Sequence, residues 1–334
     1  MDMKKWLNEL RLADRKKAIP VLSFPSISLM DITVRTLIAD SDTQAKGMKL
    51  IADRVDAGAS VSMMDLSVEA EAFGSTIRFS DEEVPTVIGA IVQSEEDAEA
   101  LRVPLVGEGR TGRYIEAVGK AKKLITDRPV FAGVIGPFSL AARLMDVSEA
   151  MIYCYDEPDM VHMTMRKVTE FLIAYIRAYK EAGADGVVLA EPITGILSPT
   201  LAAEFSEPYS RQLVEAVQDD EFLLIYHNCG NNTILMIDSI LRTGAAAYHF
   251  GNAVSMREMM AQIPADTVAM GNVDPSTQFR NGTPESIKAE TKRILRECAQ
   301  YKNFVISSGC DIPPMSPWEN IDAFFAAVQE FSEE

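Results

Sequence analysis

Eight short apolar runs, each followed by a stretch of helical periodicity, predict an α/β chain closed into a (β/α)8 TIM barrel. Most of the runs are continuously apolar rather than alternating, as strands buried on both faces are. An open doubly wound sheet would bring a glycine-rich phosphate turn after its first strand, and Ser23-Phe-Pro-Ser-Ile27 has none. The length of 334 residues fits one barrel domain spanning 1–334.

The chain opens with a short amphipathic helix, Met1-Asp-Met-Lys-Lys-Trp-Leu-Asn-Glu-Leu10, which lacks the apolar centre and cleavage site of a signal peptide. The first strand is predicted at 19–24 and its helix at 43–57; the second strand, 60–64, ends in Met64-Asp65. Residues 67–110 are too long for an ordinary connection, and Ser75-Thr-Ile-Arg-Phe79 reads as a hairpin arm. An insertion over the barrel mouth is expected there. Helix 113–126, strand 130–135 and helix 159–182 follow, the last stopped by Gly183. Strand 186–189 leads to helix 199–218, opened by the serine cap and first-turn proline of Ser198-Pro199. Strand 222–227, helix 233–242 stopped by Gly244, strand 246–250 and helix 255–262 come next. Strand 267–270, helix 284–301, strand 304–307 and helix 317–331 close the series, the last helix opened by Ser316-Pro317.

A net charge of -17 and a pI of about 4.7 argue against nucleic acid as a partner, because phosphate binding needs clustered cations. The short basic runs Arg15-Lys-Lys17 and Lys120-Ala-Lys-Lys123 read as solvated helix faces. No apolar run approaches the roughly 18 residues of a membrane span. Four cysteines are too few for a disulfide scaffold, so a cytoplasmic location is the expectation and ligand or nucleophile the more natural use of a cysteine near a histidine.

In a parallel barrel the active site is built where strands end. Those positions carry Asp65, Glu191, His227, Cys229, His249, Asn252, Asn272, Asp274 and Cys310. Polar groups this dense at the ends of buried strands cost stability unless they are partnered or used. His227 and Cys229, spaced i, i+2, share one face of a strand and can reach the same ion. Cys310 follows the last strand, and the barrel brings it to the same rim. The His/Cys/Cys set suits zinc with one position open. Glu191 is a candidate to fill that position until a substrate arrives, and Asp65 to orient a ligand or receive a proton. Asn252, Asn272 and Asp274 are candidates to bind a cofactor, although Asp274-Pro275 is also a turn signal. His162, Cys154 and Cys298 fall inside helical stretches and read as packing residues.

Five motifs in order, Asp65-Leu-Ser-Val-Glu-Ala-Glu-Ala-Phe-Gly74, Gly136-Pro-Phe-Ser-Leu140, His227-Asn-Cys-Gly230, Gly271-Asn-Val-Asp-Pro275 and Ser308-Gly-Cys-Asp-Ile-Pro313, run through nearly the whole chain. Together they resemble the uroporphyrinogen decarboxylase superfamily, and most closely its zinc-dependent branch, the methylcobamide:coenzyme M methyltransferases. True decarboxylases of that superfamily carry an arginine-rich segment after the first strand, and Val21-Leu-Ser-Phe-Pro-Ser-Ile-Ser-Leu-Met30 has no arginine. They also place a histidine where this chain has Cys310. Asn228, between the two strand-end ligands, is polar where the coenzyme M enzymes carry an apolar residue.

The resemblance implies Zn2+ held by His227, Cys229 and Cys310, and transfer of a methyl group from a methylated corrinoid (methylcobamide) to a thiol such as coenzyme M. A free thiol, with a pKa of about 8.5, is mostly protonated at neutral pH, and coordination to zinc yields a thiolate that stays nucleophilic. The chain has no Asp-x-His-x-x-Gly cobalamin motif, so a separate corrinoid carrier protein is the expected partner. An anionic tail on the thiol would need a cation, with Arg78, Arg110, Arg113 and Arg143 as candidates. Two other readings stay open at this point: a metal-free decarboxylase acting on a tetrapyrrole, and a non-catalytic relative that binds a corrinoid or tetrapyrrole.

Overall fold

Residues 1–15 and 17–333 are described by a computed structural model. Lys16, in the first basic run, and Glu334 lie outside them. Nine strands occur among the described residues: β1 (Ser60–Val61), β2 (Thr76–Arg78), β3 (Thr86–Ile88), β4 (Val130–Ile135), β5 (Gly186–Ala190), β6 (Leu223–Asn228), β7 (Ala247–Phe250), β8 (Val268–Val273) and β9 (Phe304–Ser308). Seven of them form one curled parallel sheet in the order β1-β4-β5-β6-β7-β8-β9. Helices cover its outer face, the longest being Pro158–Glu181. Among the described residues, no helix is long and apolar enough to cross a membrane.

The predicted first strand forms no ladder. Residues 18–22 nonetheless fill the gap between β1 and β9: Gly58 N donates to Ala18 O, Ile19 N to Ile306 O, and Ile312 N to Val21 O. The reason is Pro20, which has no N–H to give and leaves the ladder without a donor at its centre. On its far side the Val21 N–H is taken by the Ser308 hydroxyl at 3.0 Å rather than by a carbonyl. The eighth stave of the barrel is therefore an extended segment held by isolated bonds.

Two helices also differ from expectation. The stretch 199–218 is two helices, Pro199–Phe205 and Glu207–Val217. Pro208 sets the break, because its ring clashes with the carbonyl four residues earlier and offers no N–H. Residues Thr233–Met236 form a 3-10 turn before the helix Ile237–Arg242.

The barrel interior is filled by one parity of each strand: Val61, Phe131, Val188, Ala190, Leu223, Ile225, Ala247, Val268, Met270 and Val305 pack together. The N-terminal helix Met3–Leu12 plugs the floor of this core with Met3, Trp6, Leu7 and Leu10. It is capped by Asp2, which accepts from Lys5 N at 2.8 Å, and Trp6 lies 5.7 Å from the Phe131 ring.

Above the mouth stands the insertion 67–110. Its arm is the antiparallel pair β2–β3, with Ile77 opposite Val87. Asp65, where the insertion begins, and Arg110, where it ends, are joined by an ion pair in which both side chains are buried. The long excursion is thus closed at its base.

Candidate metal centre

The parallel register carries one layer of inward residues across five strands. Ala190 pairs with His227, His227 with His249, His249 with Met270, and Met270 with Val305. His227 therefore points into the barrel, and Cys229, two residues on, emerges at the rim on the same face. Cys310 arrives from the loop after β9. The ligand atoms of His227, Cys229 and Cys310 all lie within 4.8 Å of one another, with Cys310 Sγ 3.5 Å from His227 Nε2. The backbone is shaped to leave space: a Cβ added at Gly251 would stand 2.3 Å from the Cβ of Cys229.

Electrostatics at this cluster suit a cation. A hydrogen bond from Cys310 lowers the Cys229 thiol below its ordinary value, and the same bond, with burial, pushes Cys310 up to about 12. Of the two thiols, Cys229 is therefore the one that gives up its proton more readily. Two sulfurs and one imidazole at this spacing match the soft donor set of zinc. His227 Nδ1 is engaged, 2.7 Å from His249 Nδ1, which leaves Nε2 facing the thiols. Burial and the neighbouring His227 hold His249 well below the ordinary histidine range. The other two cysteines are core residues: burial pushes Cys154 and Cys298 each up to about 12. His162 is a packing residue too, stacked on Phe205 at 4.6 Å and bonded to Tyr209 at 2.8 Å.

Glu191 is not with the metal set. The preceding residue, Ala190, points inward, so Glu191 points outward. There it accepts from Phe138 N at 2.8 Å, Ser139 N at 3.0 Å, Ser139 Oγ at 2.7 Å and Thr194 Oγ1 at 3.1 Å. It thereby satisfies the open N–H groups of the helix Pro137–Met145, whose first residue cannot be capped by Gly136. Room for it exists because position 136 is glycine; a Cβ there would fall 2.2 Å from Glu191 Cγ.

Burial raises the Glu191 carboxyl to about 7, against the pull of these hydrogen bonds. A carboxyl raised in the folded state binds its proton longer than in the unfolded chain. Its contribution is therefore fully present below about 4.5, the ordinary glutamate value, and is lost as pH rises to about 7. Glu191→Gln is expected to remove roughly 1 kcal/mol per pH unit of that fall while the group titrates. Melting curves of both proteins between pH 5 and 7.5 check this; parallel slopes would contradict it.

Asp65 is buried and fully engaged. Its Oδ1 accepts from Ser67 N at 3.1 Å and Ser67 Oγ at 2.6 Å; its Oδ2 accepts from Tyr114 OH at 2.7 Å and from Arg110 Nη1. Arg110 also reaches Glu71 through Nε at 2.6 Å and Ser67 Oγ through Nη2 at 2.8 Å, and its guanidinium lies 5.1 Å from the Phe79 ring. With four donors on two oxygens, this carboxylate anchors the insertion and has no lone pair to spare.

Asn252, Asn272 and Asp274 are brought together with one another, not with the thiols. Asn252 Nδ2 donates to Asp274 Oδ2 at 3.0 Å, and all three line a groove beside Arg293 and Glu297. Asp274 caps the following turn, accepting from Ser276 N at 2.8 Å and Thr277 N at 2.9 Å. Asn272 donates to Gly251 O at 3.0 Å and Val254 O at 2.7 Å, fixing the loop behind Cys229. Of the four candidate arginines, Arg78 and Arg113 are exposed and Arg110 is consumed by Asp65. Arg143 keeps a buried Nε with no hydrogen-bond partner, and Glu69, whose Oε1 accepts from Ile135 N at 3.1 Å, keeps a buried Oε2 likewise unpartnered. Burial raises Glu69 to about 7.

Fold and site together define a parallel α/β barrel with a His/Cys/Cys set that could hold a metal ion at the carboxyl ends of its strands. The chain belongs to the uroporphyrinogen decarboxylase (URO-D) family, which it matches over residues 28–331. It is 27% identical over 274 residues to the methylcobamide:CoM methyltransferase MtbA of Methanosarcina acetivorans, covering 80% of this chain and 78% of that one. It is also 28% identical over 285 residues to the uroporphyrinogen decarboxylase of Coxiella burnetii, covering 82% and 77%. Among solved structures, a methyltransferase from Methanosarcina mazei superposes with a TM-score of 0.85 at 24% identity over 99% of both chains. That likeness establishes the fold. One family thus hosts two chemistries, and the site must choose between them.

Proposed function

We propose that this protein is a zinc-dependent methyltransferase that moves a methyl group from a methylated corrinoid, delivered by a separate carrier protein, to a small thiol of the coenzyme M kind. The observation that carries the reading is the convergence of His227, Cys229 and Cys310 within 4.8 Å at the barrel mouth. A decarboxylase has no use for two convergent thiols, and the segment 21–30 supplies no arginine for a porphyrinogen's carboxylates.

When bound, zinc would keep a substrate thiol deprotonated and nucleophilic at neutral pH. The protein's own residues do the rest. Cys229 and Cys310 supply two negative charges that would leave the centre near neutral and the acceptor sulfur electron-rich. His227 fixes the third donor from inside the barrel. The insertion, clamped by Asp65 and Arg110, shields the mouth from water. Arg143 is our candidate to hold an anionic tail on the thiol, since its Nε is buried and unpartnered. The Asn252–Asp274 pair on the rim is our candidate contact for the corrinoid.

Demethylation of methylcobalamin with a panel of small thiols, by zinc-loaded and metal-free protein, tests this. The reading expects thiol-dependent demethylation only when zinc is present. Equal activity without metal, or decarboxylation of uroporphyrinogen by the metal-free chain, would reject it.

A further inference from the structure

Behind His227 runs a chain of hydrogen bonds that ends on the unladdered stave of the barrel. His227 Nδ1 is 2.7 Å from His249 Nδ1, His249 Nε2 is 2.7 Å from Ser307 Oγ, and Ser307 Oγ donates to Ile19 O at 2.7 Å. All three side chains are buried, His227 at 3%, His249 at 2% and Ser307 at 0% exposure, so water cannot stand in for any of them.

The chain has only one consistent direction. A carbonyl cannot donate, so the single hydroxyl proton of Ser307 goes to Ile19 O. Ser307 Oγ then accepts, and His249 must carry its proton on Nε2. His249 is buried and its two ring nitrogens meet His227 and Ser307 rather than a carboxylate, so the ring holds a single proton; Nδ1 is then bare and accepts from His227 Nδ1–H. The lone pair of His227 is thereby assigned to Nε2, the atom that faces Cys310 at 3.5 Å.

We infer that His249 and Ser307 are positioning residues that hold His227 in its metal-ready tautomer, and that the same bonds couple metal binding to closure of the barrel seam at Ile19. A metal on Nε2 would make the ring a stronger Nδ1–H donor, and each bond along the chain would strengthen the next. The last bond lands on a segment where Pro20 denies a ladder, so the seam is where added strength has most effect. An imidazole in this place is unusual, since metal-bound histidines commonly lean on a carboxylate, backbone carbonyl or water. A neutral ring adds no charge to a site that already holds two thiols.

The test compares the full-length wild type with Ser307→Ala, metal-free and zinc-loaded. Chelator competition is expected to give Ser307→Ala about 10- to 100-fold weaker zinc binding. Nitrogen-15 NMR of the histidine rings should show His227 of the metal-free wild type as the Nδ1–H tautomer alone, and as a mixture in Ser307→Ala. Zinc should slow hydrogen exchange of the Ile19 amide in the wild type and leave it unchanged in Ser307→Ala. Wild-type zinc affinity and tautomer in the variant would overturn the relay, and so would Ile19 exchange that ignores zinc in the wild type. The last two wild-type readouts stand even where the variant does not fold. The inference rests on His227 as a metal ligand but not on methyl transfer. A wild type that takes up no zinc would sink that ligand reading, whereas equal binding by both proteins sinks the relay alone.

Discussion

Cys310→Ser, and equally Cys229→Ser, is expected to weaken zinc binding by roughly 10²- to 10³-fold and to abolish thiol-dependent demethylation at micromolar zinc. Zinc sites of this chemistry bind with roughly 10–16 kcal/mol shared among about four ligands, so one ligand carries about 3–4 kcal/mol. Serine keeps the volume but offers a hard, protonated oxygen in place of a soft thiolate. The matching controls are Cys154→Ser and Cys298→Ser, which lie in the helical layer away from the cluster and should leave zinc content unchanged. Elemental analysis and chelator titration check this directly. A Cys310→Ser protein that retained one zinc per chain at wild-type affinity would remove that residue from the metal set.

The second large effect is expected at Arg110. Arg110→Met should destabilise the fold by about 3–5 kcal/mol, because it strands the fully buried Asp65 carboxylate without its cation. It also releases Glu71 and Ser67, so the start of the insertion loses its tie to the end. Much of that cost comes from an unpaired buried charge, so Asp65→Asn in the Arg110→Met background should recover part of it. Denaturant midpoints of the single and double variants, with hydrogen exchange across 67–110, measure both parts. A loss below about 1 kcal/mol would mean that the pair is not what holds the insertion.

These two expectations mark what was legible in the sequence and what was not. The barrel, the hairpin over its mouth and the meeting of His227, Cys229 and Cys310 follow from periodicity and strand ends, both local properties. Glu191, at the end of a strand beside the site, is by sequence a candidate fourth ligand. Strand parity decides otherwise: one step past inward Ala190, it faces the helix layer and caps Pro137–Met145. Neither run alone fixes that parity, because the pairing of 190 with 227 is set by the tertiary register. Pro20 and Pro208 were visible signals against a laddered strand at 19–24 and an unbroken helix at 199–218. Apolar content favours both elements, but in the fold a missing N–H cannot be replaced. Ser307 carried no signal of its own. Its role exists only because β7, β9 and the first stave converge, and a serine two residues before a glycine says nothing of that.

The central claim is that a substrate thiol joins the two cysteines on zinc. Zinc K-edge X-ray absorption of the loaded protein, before and after adding the thiol that supports demethylation, tests it most directly. The account predicts two sulfur ligands, from Cys229 and Cys310, rising to three when the thiol is added. A sulfur count that stays unchanged under saturating thiol, while demethylation proceeds, would contradict it.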